Sequence, residues 1–178
     1  MITKAAAGLA IAAAIAVASA NSAVAARPMT MSDSCKLLEA AIRATPIVDG
    51  SLFDGQSDSP AWTIAGWSAH IPKTFHRAIQ QGPTANPFQS CAELAGRLPS
   101  GARLATPGEL DELHSIQGPR DLVVKWVSLP ASDDTGGQAL VWSGYKCPGL
   151  CGGGKLFAYK KVHGAWVRSE FPVAEYQS

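Results

Sequence analysis

The chain has 178 residues, 16% charged and 47% hydrophobic, which suits one globular domain and excludes a disordered charged tail. Its Lys+Arg total of 15 stands against 14 Asp+Glu, so no basic excess points to nucleic acid or to an anionic membrane surface. No collagen-like period, coiled-coil heptad or internal repeat is visible.

Residues 1–25 carry the three parts of a secretory signal. Lys4 is a short positive start, residues 5–18 are almost wholly Ala, Leu, Ile and Val, and Ala23-Val24-Ala25 supplies the small residues of a cleavage site. The apolar run is shorter than the roughly 20 residues of a spanning helix, so no stable membrane insertion is expected once it is removed. Residues 26–178 then form a single domain of about 153 residues. Acidic and basic side chains balance in it, because Lys4 leaves with the signal.

All four cysteines, Cys35, Cys91, Cys147 and Cys151, lie beyond the signal. An even count in an exported chain argues for disulfides. Ser32-Asp33-Ser34 is a helix-capping cluster, and Cys35, Leu38 and Ile42 share one helical face. The spacing predicts a helix over 34–44, stopped before Pro46. The Gly-, Asp-, Ser- and Pro-rich stretch 46–60 reads as loop, with room for a short strand at 46–49. Residues 61–69, with Trp62, Ile64 and Trp67, are ambiguous.

A short helix is expected over 73–81. Asn86-Pro87 starts another, over 87–97, whose apolar stripe includes Cys91. Two packed helices would bring Cys35 and Cys91 together. Thr106-Pro107-Gly108-Glu109 is a capping box opening a third helix over 107–116.

After Pro119 the apolar period changes from 3.6 to 2, and strands are expected at 121–129, 139–145, 155–162 and 165–171. Asp133-Asp134 lacks the alternating oxygen ligands of a calcium loop and reads as a hairpin turn. The expected fold is α+β: N-terminal helices, then a C-terminal four-stranded antiparallel meander, a form that suits a cystatin-like or NTF2-like roll.

Cys147-Pro148-Gly149-Leu150-Cys151 sits between two of these strands. A bridge from Cys147 to Cys151 would stiffen the hairpin tip, and Gly152–Gly154 would let the backbone take positive φ beside it. The alternative is a thiol or Cu(I) site at Cys147 and Cys151 with His163 as third ligand. Metalloprotease spacing is absent from His70, His76, His114 and His163. There is no serine elbow, phosphate loop or dinucleotide fingerprint. Glu93, Glu109, Asp111 and Glu112 read as solvated helix carboxylates rather than acid/base pairs.

The segment 139–166 resembles a family of bacterial secreted proteins to which no activity is assigned. The likeness rests on Ala139-Leu140-Val141, Cys147, Leu150-Cys151-Gly152, Gly154, Lys160-Lys161 and Gly164-Ala165-Trp166. It implies an exported domain with a bridged hairpin. A weaker likeness joins 101–113 to a segment of C-type-lectin-like domains, where a short strand also precedes a capped helix.

The function expected is therefore a periplasmic or secreted, disulfide-stabilised, non-enzymatic domain. It would bind a protein or a cell-envelope component, without cofactor or nucleic acid. Leu150, Trp142, Tyr145 and Trp166 are the candidate contact residues, since aromatic side chains dominate binding hot spots. The competing expectations are the copper or thiol site and a hydrolase with dispersed residues. Convergence of His70, His76 and the acids in one pocket would favour the hydrolase.

Overall fold

The computed structural model describes residues 29–56, 71–80, 85–115, 118–119, 121–149 and 151–177. The expected signal segment, Trp62, Trp67, His70 and Leu150 lie outside the described residues.

Helix α1 spans Met31–Arg43 and starts three residues earlier than its sequence suggests. Thr30 is the cap: its hydroxyl accepts from the Asp33 backbone at 3.1 Å. Asp33 sits in the first turn instead, where its charge suits the helix dipole. Its carboxylate also reaches Lys161 at 2.8 Å, fastening the helix start to the sheet.

The expected helix over 73–81 is a 3-10 turn, Lys73–Phe75, running into α2, His76–Gln80. The expected helix over 87–97 breaks in two. Asn86 caps α3, Pro87–Ser90, by accepting from Phe88 and Gln89. At Cys91 the backbone leaves helical geometry (φ −132°, ψ 72°), and a 3-10 segment, Ala92–Arg97, follows. Cys91 is tied there to Cys35, with Cα atoms 5.6 Å apart. Helix α4, Pro107–His114, has the expected capping box in full between Thr106 and Glu109.

The sheet departs most from expectation. It is not a four-stranded antiparallel meander but a curled, mixed sheet of eight strands, a half-barrel, and the cystatin-like or NTF2-like roll goes with that correction. The strands are β1 Leu52–Phe53, β2 Arg103–Leu104, β3 Val124–Val127, β4 Ala131–Ser132, β5 Gln138–Cys147, β6 Cys151–Val162, β7 Ala165–Arg168 and β8 Ala174–Gln177. The path is β2-β1-β3-β5-β6-β7, with β4 on β5 and β8 on β6. Strand β1 runs parallel to both β2 and β3. Parallel pairing needs long crossovers, and the helical segments between these strands provide them.

Three of the unforeseen strands have two residues each, too short to show a period. They are held by their neighbours rather than by their own sequence. No strand forms at 46–49; the chain there turns, with the Ser51 hydroxyl accepting from the Val48 amide at 3.0 Å, and extends only at Leu52. The single strand expected at 121–129 is interrupted after Val127. The Ser128 hydroxyl accepts from the Trp142 amide at 3.0 Å, taking a place in the ladder, and pairing resumes at β4.

Helices cover both faces. Residues Leu37 and Ala41 of α1 pack on Ala139 and Val141 of β5 and on Phe157 and Tyr159 of β6. Its other apolar side, Cys35, Leu38 and Ile42, meets Phe53, Phe88, Cys91, Leu94 and Val127. On the opposite face Phe75 and Ile79 lie against Leu140, Leu156 and Ala174. Helix α4 packs there too, with Leu110 and Leu113 against Leu52 and Val124.

Candidate functional site

The site follows from a mismatch of lengths. Thirteen residues make α1 about 20 Å long. Ten residues make β5 roughly 33 Å long. The helix covers Ala139, Val141, Phe157 and Tyr159 and then ends. The same sheet face continues bare past the helix C-terminus. Because strand side chains alternate, the next residues on that face are Ser143 and Tyr145 on β5 and Lys155 and Gly153 on β6.

The register sets them in rows. Lys125 pairs with Tyr145, Tyr145 with Gly153, and Gly153 with Gln177. Ser143 pairs with Lys155, and Lys155 with Glu175. The resulting cleft has a volume of about 1030 Å³, walled on the helix side by Ala44, Thr45, Pro46 and Val48 and on the sheet side by these rows, with Phe157 and Arg168. Gly153 makes room for a ring in the first row: a Cβ there would stand 3.2 Å from the Tyr145 ring.

Among the described residues three cations and one acid line the cleft. Lys125 donates to the Pro46 carbonyl and, at 3.0 Å, to the Ser51 hydroxyl. Burial draws its pKa down. Arg168 donates to the Ala44 carbonyl at 2.9 Å, and its guanidinium lies 4.3 Å from the Phe157 ring centre. Thus two sheet cations hold the chain where it leaves α1, at the C-cap Ala44 and at Pro46. Lys155 pairs with Glu175 at 3.3 Å, both well exposed. Burial of the Tyr159 phenol under α1 pushes its pKa up to about 12.

On the reverse face three aromatic rings occupy the corresponding ground. Trp126 lies against Gly144 and Gly154: Cβ atoms built there would come within 2.7 and 3.1 Å of its ring. Trp142 meets Tyr176 edge to face at 5.9 Å. This corrects the expected role of Gly152–Gly154. None of the three has positive φ; the left-handed glycine of the tip is Gly149 (φ +83°). Gly153 and Gly154 are small so that rings can lie on the strand.

Of the three candidate contact residues that are described, Tyr145 alone lines the cleft. Trp142 is half-buried on the reverse face. Trp166 is half-buried against the core beneath α1, with Lys161 5.8 Å from its ring centre. Leu150 lies outside the described residues.

Cys147 and Cys151 are directly opposite across β5 and β6 and bonded to each other. His163 stands in the turn at the far end of β6, roughly 40 Å of strand away, so the copper triad is not assembled. Among the described residues no cluster of three His, Cys, Asp or Glu side chains could hold a metal.

Among the described residues the acids and histidines do not converge either. The ring of His76 contacts the Ile71 carbonyl at 3.1 Å, and that of His114 the Leu110 carbonyl at 2.7 Å. Glu109 serves the capping box and Arg103, whose guanidinium holds its pKa down to about 2. Glu93, Asp111 and Glu112 are exposed on their helices. Asp133 organises the β4–β5 turn, accepting from Gly137, Gln138 and Thr135, as its sequence suggests. Ser51 and Lys125 form a hydroxyl–amine pair, but Ser51 is buried and outside the cleft lining, and its hydroxyl is engaged by the Val48 amide.

A sequence signal for the cleft did exist. Residues of one parity on β5 change from Ala139 and Val141 to Ser143 and Tyr145, and on β6 from Tyr159 and Phe157 to Lys155. The change marks where helix cover ends. Comparison with protein families, with curated proteins and with solved structures finds no match to this chain.

Proposed function

We propose that this protein is an exported, non-catalytic binding domain that engages a protein or cell-envelope component through the cleft beyond the end of α1. The cleft itself carries the reading: a concave surface of binding-site size, with apolar walls and a few convergent polar groups. Val48, Val123 and Tyr145 border it as exposed hydrophobic side chains, the kind of surface that marks interaction sites. Two disulfides fit an oxidising compartment. Among the described residues no helix is long and apolar enough to cross a membrane. Periplasmic or secreted residence is supported by these features, by the signal-like segment 1–25 and by the likeness of 139–166 to secreted proteins.

The test is retention of an envelope-fraction component on the immobilised, oxidised domain. Lys155→Trp, which fills the cleft, and Tyr145→Ala, which removes its wall, should each release that component, with both disulfides confirmed intact by mass spectrometry. Retention unaffected by both substitutions would move the binding surface elsewhere. Chemical conversion of the retained component would replace binding with catalysis.

A further inference from the structure

We propose that the cleft takes an organic anion, with a carboxylate or phosphate seated on the Lys125 and Arg168 side and an apolar body along Val48 and Val123. This rests on the cleft being the binding site, and it adds the chemistry of what is bound.

The argument begins with the partners of the cations. Lys125 donates to a carbonyl and a hydroxyl, and Arg168 to a carbonyl. Those acceptors are neutral. They satisfy hydrogen-bonding geometry but leave both charges uncompensated. Among the described residues neither cation forms an ion pair. Among the described residues the cleft's one acid, Glu175, is already on Lys155. Its described lining therefore carries an excess of two positive charges in a chain of nearly balanced composition.

The two cations also stand along one wall of the cleft. They grip the carbonyls of Ala44 and Pro46, two residues apart in the chain, and each lies within about 3 Å of its carbonyl. Nζ and Nη1 are thus no more than about 13 Å apart. Arg168 lies on Phe157 and is fixed in orientation, so its remaining donors are presented without further ordering. Lys125 is partly desolvated, and an incoming anion would restore the interactions it lost with water. Val48 and Val123 are exposed apolar side chains at the same mouth, which an inorganic ion would leave uncovered.

Amide chemical shifts of the oxidised domain should be followed during titration with hexyl phosphate, hexanoate and hexanol. The inference expects saturable shifts at Gly144, Gly153 and Gly154 with one or both anions, binding at least tenfold tighter than hexanol. Which anion binds tells phosphate from carboxylate. Arg168→Gln should weaken the preferred anion about tenfold. Lys155→Glu, which touches no carbonyl of α1, should weaken it comparably and guards against misfolding of the first variant. Raising salt should weaken the anion and not the alcohol. Equal binding of hexanol would overturn the anion inference while leaving the cleft a binding site. Shifts outside the cleft, or none with either anion, would also overturn it. The retention experiment judges the cleft reading separately.

Discussion

The two disulfides staple regions built on opposite plans. Cys35–Cys91 joins segments 56 residues apart and is buried among Leu38, Ile42, Phe88 and Leu94. Cys147–Cys151 spans four residues at the end of one hairpin, with Cys151 exposed. In the chain-entropy description a cross-link stabilises by restricting the unfolded chain, and more so for longer loops. The first bridge then contributes about 4 kcal/mol and the second about 2 kcal/mol. The helical region depends on its bridge because its pieces are short: α3 has four residues and the segment after it is 3-10. The hairpin has ten ladder pairs between β5 and β6 and needs its bridge only to shape the tip.

That contrast can be broken from either side. The largest effect is expected for Cys35→Ala with Cys91→Ala: a loss of about 4 kcal/mol in urea unfolding, with Tm falling on the order of 10 °C. A loss no greater than that of the hairpin pair would end the comparison.

Next comes Gly144→Ala. Its Cβ would stand 2.2 Å from the Gly153 carbonyl and 2.7 Å from Trp126, and overpacking of this kind costs about 1–3 kcal/mol. Gly154→Ala should cost less, because its nearest contact, at 2.7 Å, is the ring of the partly exposed Tyr176. Near-ultraviolet circular dichroism of Trp126 should change in both variants.

Cys147→Ala with Cys151→Ala should cost about 2 kcal/mol. Its sharper signature is local. Amide protection should fall at Tyr145 and Gly153, the pair next along the cleft face, and stay unchanged in α1. A global loss of protection would show that the hairpin bridge is as central as the helical one.

The smallest effect is electrostatic. The Lys161 ammonium beside Asp33 holds its carboxyl below the usual 3.8. Arg97 and Arg43 likewise hold Glu39 below 4.5, fastening α1 to the 3-10 segment. A carboxyl with a depressed folded pKa adds stability that is complete above its unfolded pKa and is lost as pH falls through its folded one. Stability should therefore be level above about pH 5 and decline below about pH 4. Asp33→Asn should lower the plateau by at most about 0.5 kcal/mol, since the pair is partly solvated, and should flatten the acid limb. An unchanged acid limb would remove the Asp33–Lys161 link from the account of α1.

Local chemistry by itself determined much of this molecule. The capping box at Thr106 and Glu109, the Asn86–Pro87 helix start, the turn at Asp133 and the Cys147–Cys151 pairing depend on residues near one another, so short-range patterns suffice; the Cys35–Cys91 bridge joins segments 56 residues apart and needs two elements to pack. The long strands at β5 and β6 have a clear period of two. The tertiary structure decided the rest. Strands of two residues exist only because neighbours complete their ladders, and they turn an expected meander into a mixed, curled sheet. Trp142 and Trp166 look like surface anchors in the chain, yet their faces are set by sheet register and helix cover. The cleft arises where a helix of about 20 Å stops short on a strand of about 33 Å. That is a difference between two lengths laid side by side, and only packing lays them so.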